Sequence, residues 1–195
     1  MTMKQVSVFL GWILLSWSRL CLCSDPPPFW KKAETARWLA HEHLWGTLST
    51  TSVHLNGQAW GTAKSFVDGS TSNSTGVLYF YDCDINTSIQ DIQENPMCAF
   101  SLTEAESNRC SVDELDPEDP RCARVSFSGK FLEVTDPDEL KFAQSALFER
   151  HPQMESWPDD HTWRVYKIDL TEIFLLDIYG GATIVPIDEY YAVEM

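Results

Sequence analysis

The sequence predicts a mainly β domain, a small barrel with flanking helices. Short β-rich runs outnumber helical ones, one of them folds back on an Asn-Gly turn, and no regular βαβ alternation is present. Eight Trp and ten Phe supply apolar bulk for a buried core and argue against a disordered chain. With 195 residues, no internal repeat and no linker, one domain over residues 33–195 is expected.

The elements follow in order. "SDPPPFW" and its neighbours, residues 24–32, read as a Pro-rich tail, extended and mobile. Ala36, Leu39, Ala40, His43 and Leu44 recur at helical spacing, which predicts a first helix over about residues 32–44. The run before Leu55, the Asn56-Gly57 pair and the run after it predict a hairpin with a tight turn. Residues 68–76 have loop composition, and "VLYFY" reads as the next strand. A short polar helix follows, stopped before Asn95-Pro96 because proline restricts the residue before it. "MCAFSL" is a strand. In "ARVSFSGKFLEV", Val125, Phe127, Gly129 and Phe131 share one face, with Gly129 marking a bulge or a close backbone approach. Thr135 or Asp136 before Pro137 signals the start of another helix. "HPQMESWPDDH" is a loop, and "TWRVYKIDLTEIFLLDIYG" is one bent strand or two.

The N-terminus predicts a cleaved secretory leader over residues 1–23. Lys4 gives the positive start and Val6–Trp17 the apolar run, which is too short to span a bilayer. Its removal would also remove Cys21 and Cys23, and would lower the formal charge from −15 to −17, since Lys4 and Arg19 leave with no acid. So acidic a chain is repelled by phosphate backbones and anionic lipid, which excludes ready contact with nucleic acid or membrane surface. No second run of spanning length follows, so a soluble product of the secretory route is expected.

Four cysteines then remain in an oxidising compartment. Cys110 and Cys122 bracket an acidic loop that a bridge would close, worth on the order of 2–4 kcal/mol. Cys83 and Cys98 either pair or stay as buried thiols; three connectivities are open to four cysteines. Zinc ranks below disulfides because no C-x-x-C pair occurs. Two glycosylation sequons are present, at Asn73 and Asn86. Asn73 is the stronger site by its loop composition. Asn86 stands where it would also cap the polar helix.

Common catalytic signatures are missing: no G-x-S-x-G, no phosphate-binding G-x-x-x-x-G-K, no G-x-G-x-x-G and no H-E-x-x-H. Metal or haem ligation by His41, His43, His151 or His161 is one hypothesis. His41 and His43 are two residues apart on a helix, however, and so point apart. Asp159-Asp160 and the acids from Asp113 to Asp119 read as solvated charge. The Gly180-Gly181-Ala182 turn would let backbone approach a ligand, or simply end a strand.

Four segments in order, "ARWLAHEHLWGTLSTTS", "YFYDCDINTSIQDIQENPMCAFSL", "LFERHPQMESWPDDHTWRVYKIDLTEIFLLDIYGG" and "EYY", resemble the CREG family. These are secreted glycoproteins named as cellular repressors of adenoviral early-gene-stimulated transcription. The resemblance runs from about Ala33 to Tyr191. It implies a split β-barrel similar to the FMN-binding pyridoxamine-phosphate oxidases, a homodimer, and action without flavin. It further implies roles in growth restraint, differentiation and endolysosomal function, with glycan-dependent receptor binding. The same resemblance places a loop disulfide at Cys110 and Cys122. It leads one to expect a sequon in "VYKIDLTEI", which has none; "EYYAVEM" also has none, so Asn73 and Asn86 are the sites on offer.

In such a barrel "DINTSIQDIQENPMCAFSL" is where a flavin phosphate would be held. A phosphate of nearly two negative charges calls for Arg, Lys and helix N-terminal amides. From Ser65 to Asn108 the chain has no Lys or Arg, and it has seven acids: Asp68, Asp82, Asp84, Asp91, Glu94, Glu104 and Glu106. Lys64 is the nearest base upstream. Charge and resemblance together therefore predict a non-catalytic barrel without cofactor. The alternative is an FMN-dependent oxidoreductase whose phosphate is held by distant or partner-chain bases.

Overall fold

The computed structural model describes residues 24–195. The predicted leader, with Cys21 and Cys23, lies outside them. Helix α1 (Lys32–Glu42) precedes a hairpin of β1 (Trp45–Ser52) and β2 (Gln58–Ser65), then β3 (Val67–Ser70) and β4 (Asn73–Cys83). Helix α2 (Thr87–Glu94), β5 (Met97–Thr103), the short α3 (Arg109–Val112) and β6 (Arg124–Glu133) follow. The chain ends with α4 (Pro137–Arg150), β7 (Trp163–Leu176), β8 (Thr183–Ile184) and α5 (Ile187–Ala192).

All strand pairs are antiparallel, in the order β2-β1-β5-β6-β7-β4-β3, with β8 on β7. The sheet curls until β2 stands across from β4, joined there by an ion pair between Lys64 and Asp82 and by no strand ladder. That gap makes the barrel split. Leu48, Phe80, Phe100, Phe127 and Ile173 fill the interior, and Ala36, Leu39 and Tyr190 of the helices plug one end. A second cluster seats Ala143, Ala146 and Leu147 of α4 against Val67, Tyr79 and Val165.

Local signals explain the elements that the sequence predicts. Asp136 Oδ1 accepts hydrogen bonds from Asp138 N (3.1 Å) and Glu139 N (2.8 Å), and Pro137 opens α4. Asn86 Oδ1 accepts from Ser88 N (3.1 Å) and caps α2. At Gly129 the β6–β7 register shifts, and a Cβ there would lie 2.2 Å from the Asp169 carbonyl oxygen. The bulge and the close approach are one feature. Opposite it, β7 is a single 14-residue strand.

Other expectations need correction. Residues 68–76 are not a loop: Gly69 pairs with Ser74 and Ser70 with Asn73, so β3 and β4 form a hairpin. Thr75 Oγ1 donates to the Asp68 carbonyl (2.8 Å), which ties its two strands together. The Asn56-Gly57 turn is not tight. Ser52 pairs with Gln58, leaving residues 53–57 as the connection, with Asn56 and Gly57 at φ 54° and 87°. The tail touches the domain at its first described residue: the Ser24 carbonyl accepts from Trp38 Nε1 (3.2 Å) and Arg109 Nη2 (2.6 Å). Residues 187–192 form α5, which the sequence reading left without an element. The loop after α4 contains a 3-10 turn at Pro152–Ser156.

Candidate functional site

The split between β2 and β4 opens into a crevice of about 230 Å³. Ala63, Lys64 and Ser65 line it from β2; Tyr81, Asp82 and Cys83 from β4. Asn86 closes one end as the first residue before α2. Met154 and Trp157 arrive from the segment after α4, and Trp163 from the start of β7. The rings form one cluster: Tyr81 lies 17° from coplanar with Trp163 at 5.2 Å and 25° from Trp157 at 5.9 Å, and the two Trp rings meet at 4.7 Å with a 42° tilt. Trp163 Nε1 donates to the Pro158 carbonyl (2.9 Å), which fixes the loop over the rings.

Of the segment expected to hold a flavin phosphate, Asn86 lines this crevice. Lys64 points inward, but its ammonium is paired with Asp82, both side chains being almost buried. Asp82 also accepts from the Cys83 amide (2.9 Å) through its other oxygen. No other Lys or Arg lines the crevice. Three amides of the first turn of α2 are taken as well: Ser88 N by the Asn86 side chain, Ile89 N and Gln90 N by the Asn86 carbonyl. The Ser88 hydroxyl is buried without a partner, and Ser88 does not line the crevice. The surrounding field is negative. Burial and Asp159 raise the Tyr81 hydroxyl, and burial with Glu133, Asp82 and Asp84 pushes Tyr166 up to about 12. These residues do not fit a flavin phosphate.

The remaining cations sit elsewhere. Asp68 is fully buried and accepts from His41 Nδ1 (2.9 Å), Arg150 Nη1 (3.3 Å) and the Ser74 hydroxyl. Arg37, also buried, donates to Ser74 Oγ (2.7 Å) and to the Ser74, Tyr190 and Val193 carbonyls. This cluster joins α1, α4, β3, β4 and the C-terminal segment.

The structure does not gather the four candidate histidines at one centre. His41 is held by Asp68. His43 is buried, with Nδ1 2.8 Å from the Leu39 carbonyl, and His151 Nε2 lies 3.0 Å from the Phe66 carbonyl; burial lowers both pKa values. His161 stays beside Asp160 and Trp163. Among the described residues no group of three or more His, Cys, Asp or Glu has metal-binding geometry. Cys110 and Cys122 are bonded, their Cα atoms 5.5 Å apart. Cys83 and Cys98 are separate buried thiols, so the second bridge left open by the sequence is not formed; burial pushes Cys98 up to about 12. Asn73 is exposed and Asn86 half-buried.

A second cavity, about 320 Å³, lies on the outward face of β1, β5, β6 and β7, between Thr47, Ser101, Ser126 and Phe174. Ala182, after the double glycine, lines its edge. Glu106 lines it too, with Oε2 buried and unpartnered; burial raises its carboxyl to about 7. The aromatic cluster and Glu106 are both features that sequence reasoning missed. Trp157, Trp163 and Tyr81 lie on separate segments, and nothing local joins them.

A sequence profile described as "CREG, beta-barrel" matches residues 27–192. The chain belongs to the CREG family. Chicken Protein CREG1 is 38% identical over 87% of this chain and 89% of its own length. Human Protein CREG1 is 35% identical over 92% of this chain and 82% of its own. Human Protein CREG2 is 38% identical over 86% of this chain, yet the match spans only 58% of that longer protein. Among solved structures, the heme binding protein of Mycobacterium smegmatis superposes with a TM-score of 0.65 at 17% identity, covering 86% of this chain and 62% of that one. Vibrio cholerae HutZ, a heme storage protein, gives 0.51 at 16%, covering 71% and 88%. At such identities these two likenesses speak for the split-barrel fold alone, which this CREG chain shares. Among the described residues no helix is long and apolar enough to cross a membrane.

Proposed function

We propose that this CREG-family chain is a secreted, non-catalytic glycoprotein that keeps a flavin-type barrel without its cofactor. It acts as a homodimer through protein and receptor contacts, in growth restraint, differentiation and endolysosomal function. One observation carries the reading. The base nearest the crevice, Lys64, is spent on Asp82, and the crevice offers no second cation to a phosphate.

Dimerisation is supported by the outward face of the sheet. Register aligns Ala63, Thr47, Ser101, Ser126 and Phe174 in one row, and Gly61, Ser49, Ala99, Ser128 and Glu172 in the next. Nearly all of these are small, which leaves a shallow face that side chains of a second copy can pack into. An FMN oxidoreductase would need a base from that second copy.

The test uses the secreted protein as purified. Its absorbance spectrum should show neither flavin nor haem bands, and light scattering should give twice the chain mass. Thr47→Arg should halve that mass. A yellow protein, or a Soret band, would defeat the cofactor-free reading; a monomer would defeat the dimer.

A further inference from the structure

Asn86 meets two demands at once. It belongs to the sequon Asn86-Thr87-Ser88, and it lines the aromatic crevice. Its Oδ1 is committed to the Ser88 amide. Its Nδ2 donates to no other described group, and Nδ2 is the atom that an N-linked sugar occupies. The cap and the glycan therefore do not compete: one uses the oxygen, the other the nitrogen. The cap also restricts the side-chain rotation that would let a sugar swing away.

The space that Asn86 lines has the chemistry of a sugar site. Tyr81, Trp157 and Trp163 offer apolar ring surface, which suits the C–H face of a pyranose. Ser65 on the β2 side and Asp82 on the β4 side supply polar groups. The field is negative, which opposes a phosphate and leaves a neutral sugar unaffected. At about 230 Å³ the crevice falls below the roughly 300–1,000 Å³ usual for drug-sized ligands. A single ring suits it better than a dinucleotide-like cofactor.

We propose that Asn86 carries an N-linked glycan whose first N-acetylglucosamine lies in this crevice, a covalently attached occupant of the vestigial cofactor space. The proposal rests on the secretory reading above. In the transfer, the Asn86 amide nitrogen bonds to C1 of a lipid-linked oligosaccharide, loses one proton and displaces the polyprenyl diphosphate; nothing is oxidised or reduced. Asn73, exposed at the tip of the β3–β4 hairpin, has no such neighbours and serves as the internal reference.

The experiment follows enzymatic deglycosylation of the native secreted protein, site by site, by peptide mass spectrometry. The Asn86 glycan should be released at least tenfold more slowly than that at Asn73, and equally fast after denaturation. Trp157→Ala should remove most of the difference. Proton spectra of protein trimmed to one sugar per site should place the Asn86 sugar resonances upfield of those at Asn73, by ring currents; this readout needs no variant. Sugar at Asn73 with none at Asn86 overturns the proposal and leaves the secretory reading standing. Sugar at neither site overturns both. Equal release rates with coincident sugar resonances overturn the crevice placement.

Discussion

The two edges of the split barrel treat a buried carboxylate differently. At the β3 edge, Asp68 meets His41, Arg150 and Ser74, and Ser74 links it to Arg37. At the crevice, Asp82 meets Lys64 and one backbone amide. The first edge is a structural seam, in which groups from two helices and the C-terminal segment converge. The second is an electrostatically balanced slot with aromatic walls. Cations that a nucleotide would need are thus present in the fold but committed to joining its layers.

This contrast can be broken in order of expected effect. Asp68→Ala would take a buried carboxylate away from Arg150 and His41, and from the Ser74 hydroxyl that links it to Arg37. Removing one partner of a buried charge cluster costs about 3–5 kcal/mol, and urea unfolding should show a loss of that size. Asp82→Asn removes the partner of a single lysine at a crevice mouth. Lys64 can relax towards water, so the loss should be about 1–3 kcal/mol by the same measurement. Equal losses at the two sites would erase the distinction between seam and slot.

Glu106 extends the series to a carboxylate with no partner on its buried oxygen. Burial raises its folded-state value to about 7, from the 4.5 ordinary for glutamate. The folded state therefore holds its proton more tightly than the unfolded chain. Stability from this group is full below about pH 4.5 and falls away as pH rises towards 7. His43 and His151 act in the opposite sense, because burial lowers them and acid then favours the unfolded chain. The difference between wild type and Glu106→Gln isolates the carboxyl. Wild type should gain about 1–2 kcal/mol relative to the variant between pH 7.5 and 5, after discounting partial exposure. Parallel stability curves would show that Glu106 is solvated. The smallest effect belongs to Asp136→Ala, an exposed helix cap far from either edge. It should lower stability by about 1 kcal/mol and leave the crevice unchanged.

The sequence revealed what local chemistry decides. Asn56-Gly57, Asn95-Pro96, Asp136-Pro137 and the Gly129 bulge each act within a few residues, and each marks a feature found in the fold. The hairpin at residues 68–76 was hidden because its Gly, Ser, Thr and Asn composition is that of a loop. What orders it comes from far away: Arg37 reaches Ser74 from α1, and Arg150 reaches Asp68 from α4. Helix α5 was hidden for the same reason, since Tyr190 is fixed by its hydroxyl on the Gly76 carbonyl (2.9 Å). At the candidate site the absence of bases after Lys64 was readable. That Lys64 faces Asp82 was not, because β2 and β4 share no ladder. The Tyr81, Trp157 and Trp163 cluster assembles from three separate segments and left no spacing to read.

Lys64 is held by Asp82, and no other Lys or Arg lines the crevice to meet a flavin phosphate. Titrating purified wild-type protein with FMN by calorimetry tests the cofactor-free reading most directly. No saturable heat is expected up to about 1 mM ligand, that is, binding weaker than roughly −4 kcal/mol. Stoichiometric binding in the micromolar range, lost in Lys64→Ala, would show that the lysine leaves Asp82 for the phosphate, and would contradict that reading.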